Sequence, residues 1–486
     1  MSKKVESANT YSKGKGFPVK YCRPFVSNTP FEYVYYIDPN STSHLELGTF
    51  EYPFKNMDSP AKEIFNFMYE KETNFTVYHR RGTFMKHYYG IMPITVVNVK
   101  MYTLLSYGDA SLPRPRIYVT GHDYLWPDST LFSTAEILYN YATRVQRGDM
   151  EVSESTKFFL KFSLFRSSMT MRELDFQSIM FGDAWSNPLI FSFDAPNRTV
   201  LVEDCYFDLD GAFYEAYFPI SLIVRRSHFN VTNYQYGVWN DFRWDCYANN
   251  ATNLEAKLIL EENLFTEKHQ QALYNFFYFS SFDDFILRSN VFDRVTYMDM
   301  ETRPFIDVHP QSMCDPDYRT QHITIDRNTF RNLDGSSLMF AINYMNNFNG
   351  TKIFSVQDNV FEDSVINSQM IAMQIQNPST VIVGNNFYRN VTIMKDKKIL
   401  YFFSERSNIT IRNETLVDNT LDDLYTIGNA KNVFVEDFTV INNDNTGAIT
   451  ETSAILRIST AANLCQITRF NVRDSIFRYG KAIEIE

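Results

Sequence analysis

A six-residue pattern returns along most of this chain: an apolar residue, any residue, usually a polar or charged one, two more, and then usually Phe. It occurs eleven times, as MRELDF (Met171 to Phe176), VEDCYF (Val202 to Phe207), VRRSHF (Val224 to Phe229), LEENLF (Leu260 to Phe265), LRSNVF (Leu287 to Phe292), IDRNTF (Ile325 to Phe330), VQDNVF (Val356 to Phe361), IVGNNF (Ile382 to Phe387), IRNETL (Ile411 to Leu416), VEDFTV (Val435 to Val440) and VRDSIF (Val472 to Phe477). The mean spacing is about 30 residues, inside the roughly 20 to 50 that mark a solenoid whose stacked units share one core. Each copy stands for one coil, and its closing Phe is expected to recur as a rung that fills the interior.

Short alternating or β-branched runs lead into most copies, such as KLILEE after Ala256, HITIDR after Gln321, TVIVGN after Ser379, NITIRN after Ser407 and NVFVED after Lys431. These predict strands. Between the apolar anchor and the Phe, Asn or Asp recurs at the third or fourth place, best seen at Asn263, Asn290, Asn328, Asn359 and Asn385 or Asn386. With only 17 glycines in 486 residues, these side chains are expected to occupy the left-handed backbone of a tight bend between two strands. Stacked amides at such a place also hydrogen-bond along the axis.

A length of 486 residues exceeds the usual single core, but a solenoid grows by adding coils and escapes that limit. With 44% hydrophobic residues the chain has enough apolar material for one long domain. The net charge of −11 comes from acidic and basic residues interspersed without a basic block, which disfavours nucleic acid as a partner. Cys22, Cys205, Cys246, Cys314 and Cys465 are widely spaced, without C-x-x-C or His at ligand spacing. They are expected to be isolated buried thiols, with a Cys205 to Cys246 disulfide left open, and no metal site is expected. The first residues carry no apolar core of a signal peptide, and no apolar run is long enough to span a membrane. The alternating KAIEIE at the end lacks a polar cap, so the natural protein is expected to continue beyond Glu486.

The segment Tyr33 to Met68 holds a short strand ending in Asp38-Pro39, then Gly48-Thr49, Pro53-Phe54-Lys55, and an amphipathic stretch over roughly Ala61 to Tyr69. It resembles the opening of the pectin-lyase-like superfamily, and Asn74 to Phe84 (NFTVYHRRGTF) is similar to that family's first-coil strand and turn. The resemblance covers roughly residues 33 to 486. It implies an all-β fold: a right-handed parallel β-helix solenoid of about a dozen coils, with an N-terminal helical cap. Residues 1–32 are then a poorly ordered extension and 33–486 a single domain; the stretch 111–157 departs from the coil pattern, and its apolar Ile137, Leu138, Tyr139 and Val145 predict a helical insertion over Thr134 to Asp149.

Enzymes of that superfamily need acids for Ca²⁺ with an Arg or Lys base, or paired carboxylates. Their hydrolases show Asn-x-Asp, Asp-Asp, Gly-His and Arg-x-Lys on successive coils, and this order is not reproduced. Asp283-Asp284 and Asp422-Asp423 are present, but Gly121-His122-Asp123 precedes both pairs and no Arg-x-Lys follows. Asp283, Asp284 and Asp307, with His309, form the best acidic candidates for catalysis. Asp299 and Glu301 read as solvated turn acids, and Trp239, Trp244, Tyr247 and Arg243 form a candidate sugar-stacking face.

Nine N-x-[ST] sequons, at Asn40, Asn74, Asn197, Asn230, Asn250, Asn349, Asn390, Asn408 and Asn413, favour an extracellular or cell-surface setting within a longer protein. The expected function is therefore that of a non-catalytic parallel β-helix module of a secreted or surface protein, binding protein or glycan or acting as a spacer, without a cofactor. The alternative is a polysaccharide lyase or glycoside hydrolase, and Ca²⁺ enters only with the lyase.

Overall fold

The computed structural model describes residues 32–57, 73–86, 94–97, 99–121, 162–180, 189–193, 198–209, 213–216, 221–231, 238–240, 257–267, 277–279, 284–298, 306–308, 321–336, 340–344, 352–367, 369–375, 379–394, 397–404, 406–421, 423–444, 454–459, 463–477 and 481–485. Every regular element among the described residues is a β-strand, in one sheet of 27 strands and one of 13. One coil shows the path. Thr199–Glu203 and Tyr206–Leu209 lie in the long sheet and Tyr214–Ala216 in the second, after which Ser221–Arg225 pairs in parallel with Thr199–Glu203. Repetition of this circuit makes a parallel β-solenoid, and the 13 strands of the second sheet agree with about a dozen coils. The expected capping helix near 61–69, the insertion around Thr134 to Asp149 and the N-terminal extension lie outside the described residues.

The recurring Phe is the rung the pattern predicts. Strand register aligns Phe176, Phe207, Phe229, Phe265, Phe292, Phe330 and Phe361 in one row, which continues through Tyr388, Leu416, Val440 and Val472. From Phe176 to Tyr388 successive rings stack with centroids 4.7–5.5 Å apart and planes within 4–18°. Such a pair contributes about 0.5–1.5 kcal/mol beyond the area it buries. Two copies of the pattern need correction. In the eighth, Val383 and Tyr388 hold the inward places, and Ile382 and Phe387 are only half-buried. In the eleventh, Val472 is level with Val440, so the coil's own anchor is Ile467 and VRDSIF leads into the following corner.

The corner between anchor and rung also differs from expectation. The left-handed residue is the one before the buried asparagine: Glu262 (φ 57°), Ser289 (54°), Arg327 (57°), Asp358 (58°) and Asn385 (56°). Of the asparagines expected there, only Asn385 takes this backbone. A left-handed residue other than Gly costs about 1–2 kcal/mol. Each of these N–H groups donates to a carbonyl of the next coil at 2.9–3.0 Å, which holds the corner whatever the side chain.

Asn263, Asn290, Asn328, Asn359 and Asn386 face inward instead, at 0–1% exposure. Their amides form the ladder foreseen. Each backbone N–H and each Nδ2 of Asn263 through Asn359 donates to Oδ1 of the next asparagine at 2.9–3.0 Å. The second Nδ2 proton goes to a carbonyl of the preceding coil, at Val224, Leu260, Leu287, Ile325 and Val356. Buried amides left unpaired cost about 1–3 kcal/mol each, and here none of these is.

The first edge of the solenoid is covered by residues 38–57. Tyr36 N–H donates to the Gly48 carbonyl, Asp38 N–H to Phe54, and Phe54 N–H to Tyr36, at 2.8–2.9 Å. The Phe54 ring lies on Tyr35 with centroids 5.9 Å apart. Gly48 is required there: its φ is +73°, and a Cβ would meet Phe54 at 2.4 Å.

Candidate functional site

The carboxylates singled out from the sequence fall in separate places. Asp284 opens the strand Asp284–Arg288, level with Lys257 and His322 on the neighbouring coils. It is held between them, with Oδ2 3.5 Å from Lys257 Nζ and Oδ1 2.9 Å from His322 Nδ1. Asp307 belongs to Ile306–Val308 of the second sheet, level with Tyr278 and Ala341. Asp283, Asp299, Glu301 and His309 lie outside the described residues, as do Asp422, His122 and Asp123. Asp423 is buried, accepts the Ala454 N–H at 2.7 Å, and lies 3.4 Å from Arg457. Trp239 sits in Val238–Asn240, whereas Arg243, Trp244 and Tyr247 are outside the described residues. No three His, Cys, Asp or Glu side chains form a metal-binding group among the described residues, and no helix there is long and apolar enough to cross a membrane.

Among the sequons, Asn40, Asn390 and Asn413 are exposed, Asn74, Asn230 and Asn408 are half-buried in strands, and Asn197, Asn250 and Asn349 lie outside the described residues. Cys205 is buried, and burial pushes its thiol up to about 12. Cys465 is exposed, contrary to the expectation of buried thiols, because its strand Leu464–Arg473 forms the outermost described rung of the long sheet. Cys22, Cys246 and Cys314 lie outside the described residues.

Along the middle coils, the outward place after each anchor carries alternating charge: Arg172, Glu203, Arg225, Glu261, Arg288 and Asp326 in register. Successive members approach within 2.6–4.0 Å. Each charge on this row is answered by a neighbour on an adjacent coil, so the row offers little uncompensated charge to a ligand. With the arginines a third to a half exposed, such pairs contribute about 0–1 kcal/mol each.

The first coils present something else. Strands Glu32–Ile37 and Thr73–Arg80 place Tyr36 and Tyr78 side by side on the outer face. Their rings stack at 5.2 Å. Tyr107, closing Val99–Tyr107, packs edge-on against both at 5.3 and 6.4 Å. Phe50, delivered by the covering loop, packs edge-on against Tyr36 at 5.5 Å and remains 63% exposed. Beside this cluster Arg80 donates to Asp38 Oδ2 at 2.5 Å, and Asp38 Oδ1 accepts the Asn40 N–H. Burial, with the Asp38 charge second, pushes the Tyr107 hydroxyl up to about 12; burial likewise raises Tyr36, with Tyr78 and Glu51 adding to it. These phenols therefore stay protonated and can donate hydrogen bonds at neutral pH.

A partly exposed aromatic surface bordered by hydroxyls and a fixed Arg–Asp pair is suited to a ligand with apolar faces and polar edges. The sequence signal for it was the presence of tyrosines at outward places of successive coils. Trp239 to Tyr247 is the more visible aromatic group in the sequence because strand register, which brings residues 36, 78 and 107 together, is not written in any local motif. Compared with family models, with curated proteins and with solved structures, the chain matches none.

Proposed function

We propose that this chain is a non-catalytic module of a larger secreted or surface protein, a right-handed parallel β-helix of the pectin-lyase-like kind that binds glycan on its first coils. The observation that carries this reading is the cluster of Tyr36, Phe50, Tyr78 and Tyr107 at the surface beside Arg80 and Asp38. A pyranose ring has an apolar face that packs on an aromatic ring, while its hydroxyls take hydrogen bonds from phenols and from the Arg–Asp pair. Arg80 is neutralised by Asp38, so the surface favours neutral sugars over uronates. The compensated charge row continues from Tyr36 and Tyr78 along the same outer face.

The test is a panel of neutral and acidic polysaccharides, scored for binding and for product release, with and without Ca²⁺. The expected outcome is binding of a neutral glycan without turnover, weakened roughly tenfold or more by Phe50→Ala with Tyr107→Ala. Turnover of any polysaccharide would reject the non-catalytic reading in favour of a lyase or hydrolase. Unchanged binding by the double variant would move the glycan site off this surface.

A further inference from the structure

The asparagine ladder ends on an acid. After Asn386 the same corner is occupied by Glu414, which has no exposed surface. Its Oε1 accepts both Asn386 N–H, at 3.2 Å, and Asn386 Nδ2, at 3.0 Å, as an asparagine Oδ1 would. The longer side chain brings Oε2 to the Tyr425 hydroxyl, which donates to it at 2.5 Å. Tyr425 belongs to Tyr425–Gly428 of the second sheet and also shares a hydrogen bond with the hydroxyl of Tyr388, the ring that closes the Phe stack. Glu414 thus joins the ladder, the aromatic stack and the opposite sheet in one buried contact.

We propose that Glu414 is a proton-operated latch: as a neutral acid it locks the Asn386 coil to Tyr425 across the interior, and loss of its proton loosens the coils from Asn386 to Tyr425. The hydrogen-bond chain can serve either state. With the proton on the acid, Oε2–H donates to Tyr425 and Tyr425 to Tyr388. Without it the direction reverses, and Tyr388 donates to Tyr425 and Tyr425 to the carboxylate. What changes is a charge in the core without a cation beside it. The groups acting on Glu414 are Asn386, Tyr388 and Tyr425, and the corresponding corner of the next coil holds Phe438. The charges on the adjoining strands are already engaged: Arg412 reaches Gln357, exposed Asp418 accepts from Asn442, Glu436 and Asp437 on the next coil are held by Arg469, and buried Asp423, two residues before Tyr425, lies between Lys398 and Arg457.

Burial is the largest influence and outweighs the donors, pushing the carboxyl up to about 8 from 4.5. An unfolded chain releases this proton near 4.5, the folded one near 8. Stability from the neutral acid is therefore complete below about 4.5, declines as pH rises between the two values, and is gone above about 8.

The experiment compares melting of the wild-type chain and Glu414→Gln between pH 5 and pH 9, with hydrogen exchange to locate the change. Gln keeps the acceptor for Asn386 and offers Nε2–H to Tyr425, so it imitates the neutral acid at every pH. The expected result is equal melting at pH 5 and a higher midpoint for Glu414→Gln at pH 9. In the wild-type chain alone, protection factors of amides between Asn386 and Tyr425 should fall tenfold or more over this range. Parallel pH curves for the two proteins would overturn the proposal. Should Glu414→Gln fail to fold, Tyr425→Phe serves: removing a donor to the carboxylate shifts the declining window to higher pH, whereas a uniform loss of stability without that shift would overturn it.

Discussion

The first three coils and the coils from Ser227 to Glu414 share one circuit of strands but differ in what they place at their corners and on their outer face. From Asn263 to Asn359 every corner asparagine donates to the next one, and from Arg172 to Asp326 outward charges alternate so that each is answered. In the first coils His79 is 2% exposed, its Nε2 and the buried Tyr102 hydroxyl have no hydrogen-bond partner among the described residues, and Phe50 is turned to solvent. A region in which local rules agree is built for stability; a region that departs from them, yet keeps its backbone register, has been shaped by something else. The difference bears on the proposed glycan surface, which lies in the first of these regions.

Three measurements would break or sharpen that contrast. The largest effect is expected from Asn328→Ala, which strips Asn290 of the acceptor for its N–H and Nδ2 and leaves the Leu287 carbonyl without its side-chain donor. Equilibrium denaturation should show a loss of about 3–5 kcal/mol; a loss below about 1 kcal/mol would mean that the ladder is an ornament of the corner and not its fastening.

An intermediate effect is expected at His79. Burial pushes its imidazole down to about 3 from 6.5, so the unfolded chain takes up this proton first. Stability should be full above about 6.5 and fall as pH drops towards 3, by an amount on the order of a few kcal/mol. Hydrogen exchange in residues 73–107 should report that acid loss, and His79→Leu should remove it. Together with Glu414 this gives the two regions opposite pH responses, acid-sensitive at the start and base-sensitive near the ladder's end. A shared pH response would merge them into one unit.

The smallest effect is expected from Arg288→Ala in the charge row, at most about 1 kcal/mol and diminished by salt, because Arg288 is about a third exposed. A much larger loss would show that the row acts as a network.

The interior was the readable part of the sequence. Phe265, Phe292 and Phe330 stack because identical inward places recur, and a period survives insertions in the loops between them. The corners depart from the sequence expectation for a physical reason. Propensity assigns left-handed backbone to Asn, but at Glu262, Ser289 and Arg327 the bond from each N–H to the next coil fixes the conformation, freeing Asn for the interior. At Ile382 the sequence is ambiguous because Ile382 and Val383 are both apolar, as Phe387 and Tyr388 are both aromatic, and only pairing with Val356 and Phe361 decides between them. The aromatic surface was illegible locally, since its members lie on separate coils and one comes from a loop. Asp284 could be placed on a strand, but not its capture by Lys257 and His322, which needs the register of three coils.

The asparagine ladder also bears on how such a molecule changes length. Each rung from Asn263 to Asn359 shows the same donors to the following coil and the same acceptor to the preceding one. A coil carrying Asn at that corner can therefore be duplicated or deleted within this stretch and leave no amide unmatched. Evolution by copying requires such interchangeable joints, and here the joint is a single side chain, with Ser227 and Glu414 as the two end pieces that a shorter or longer descendant would keep.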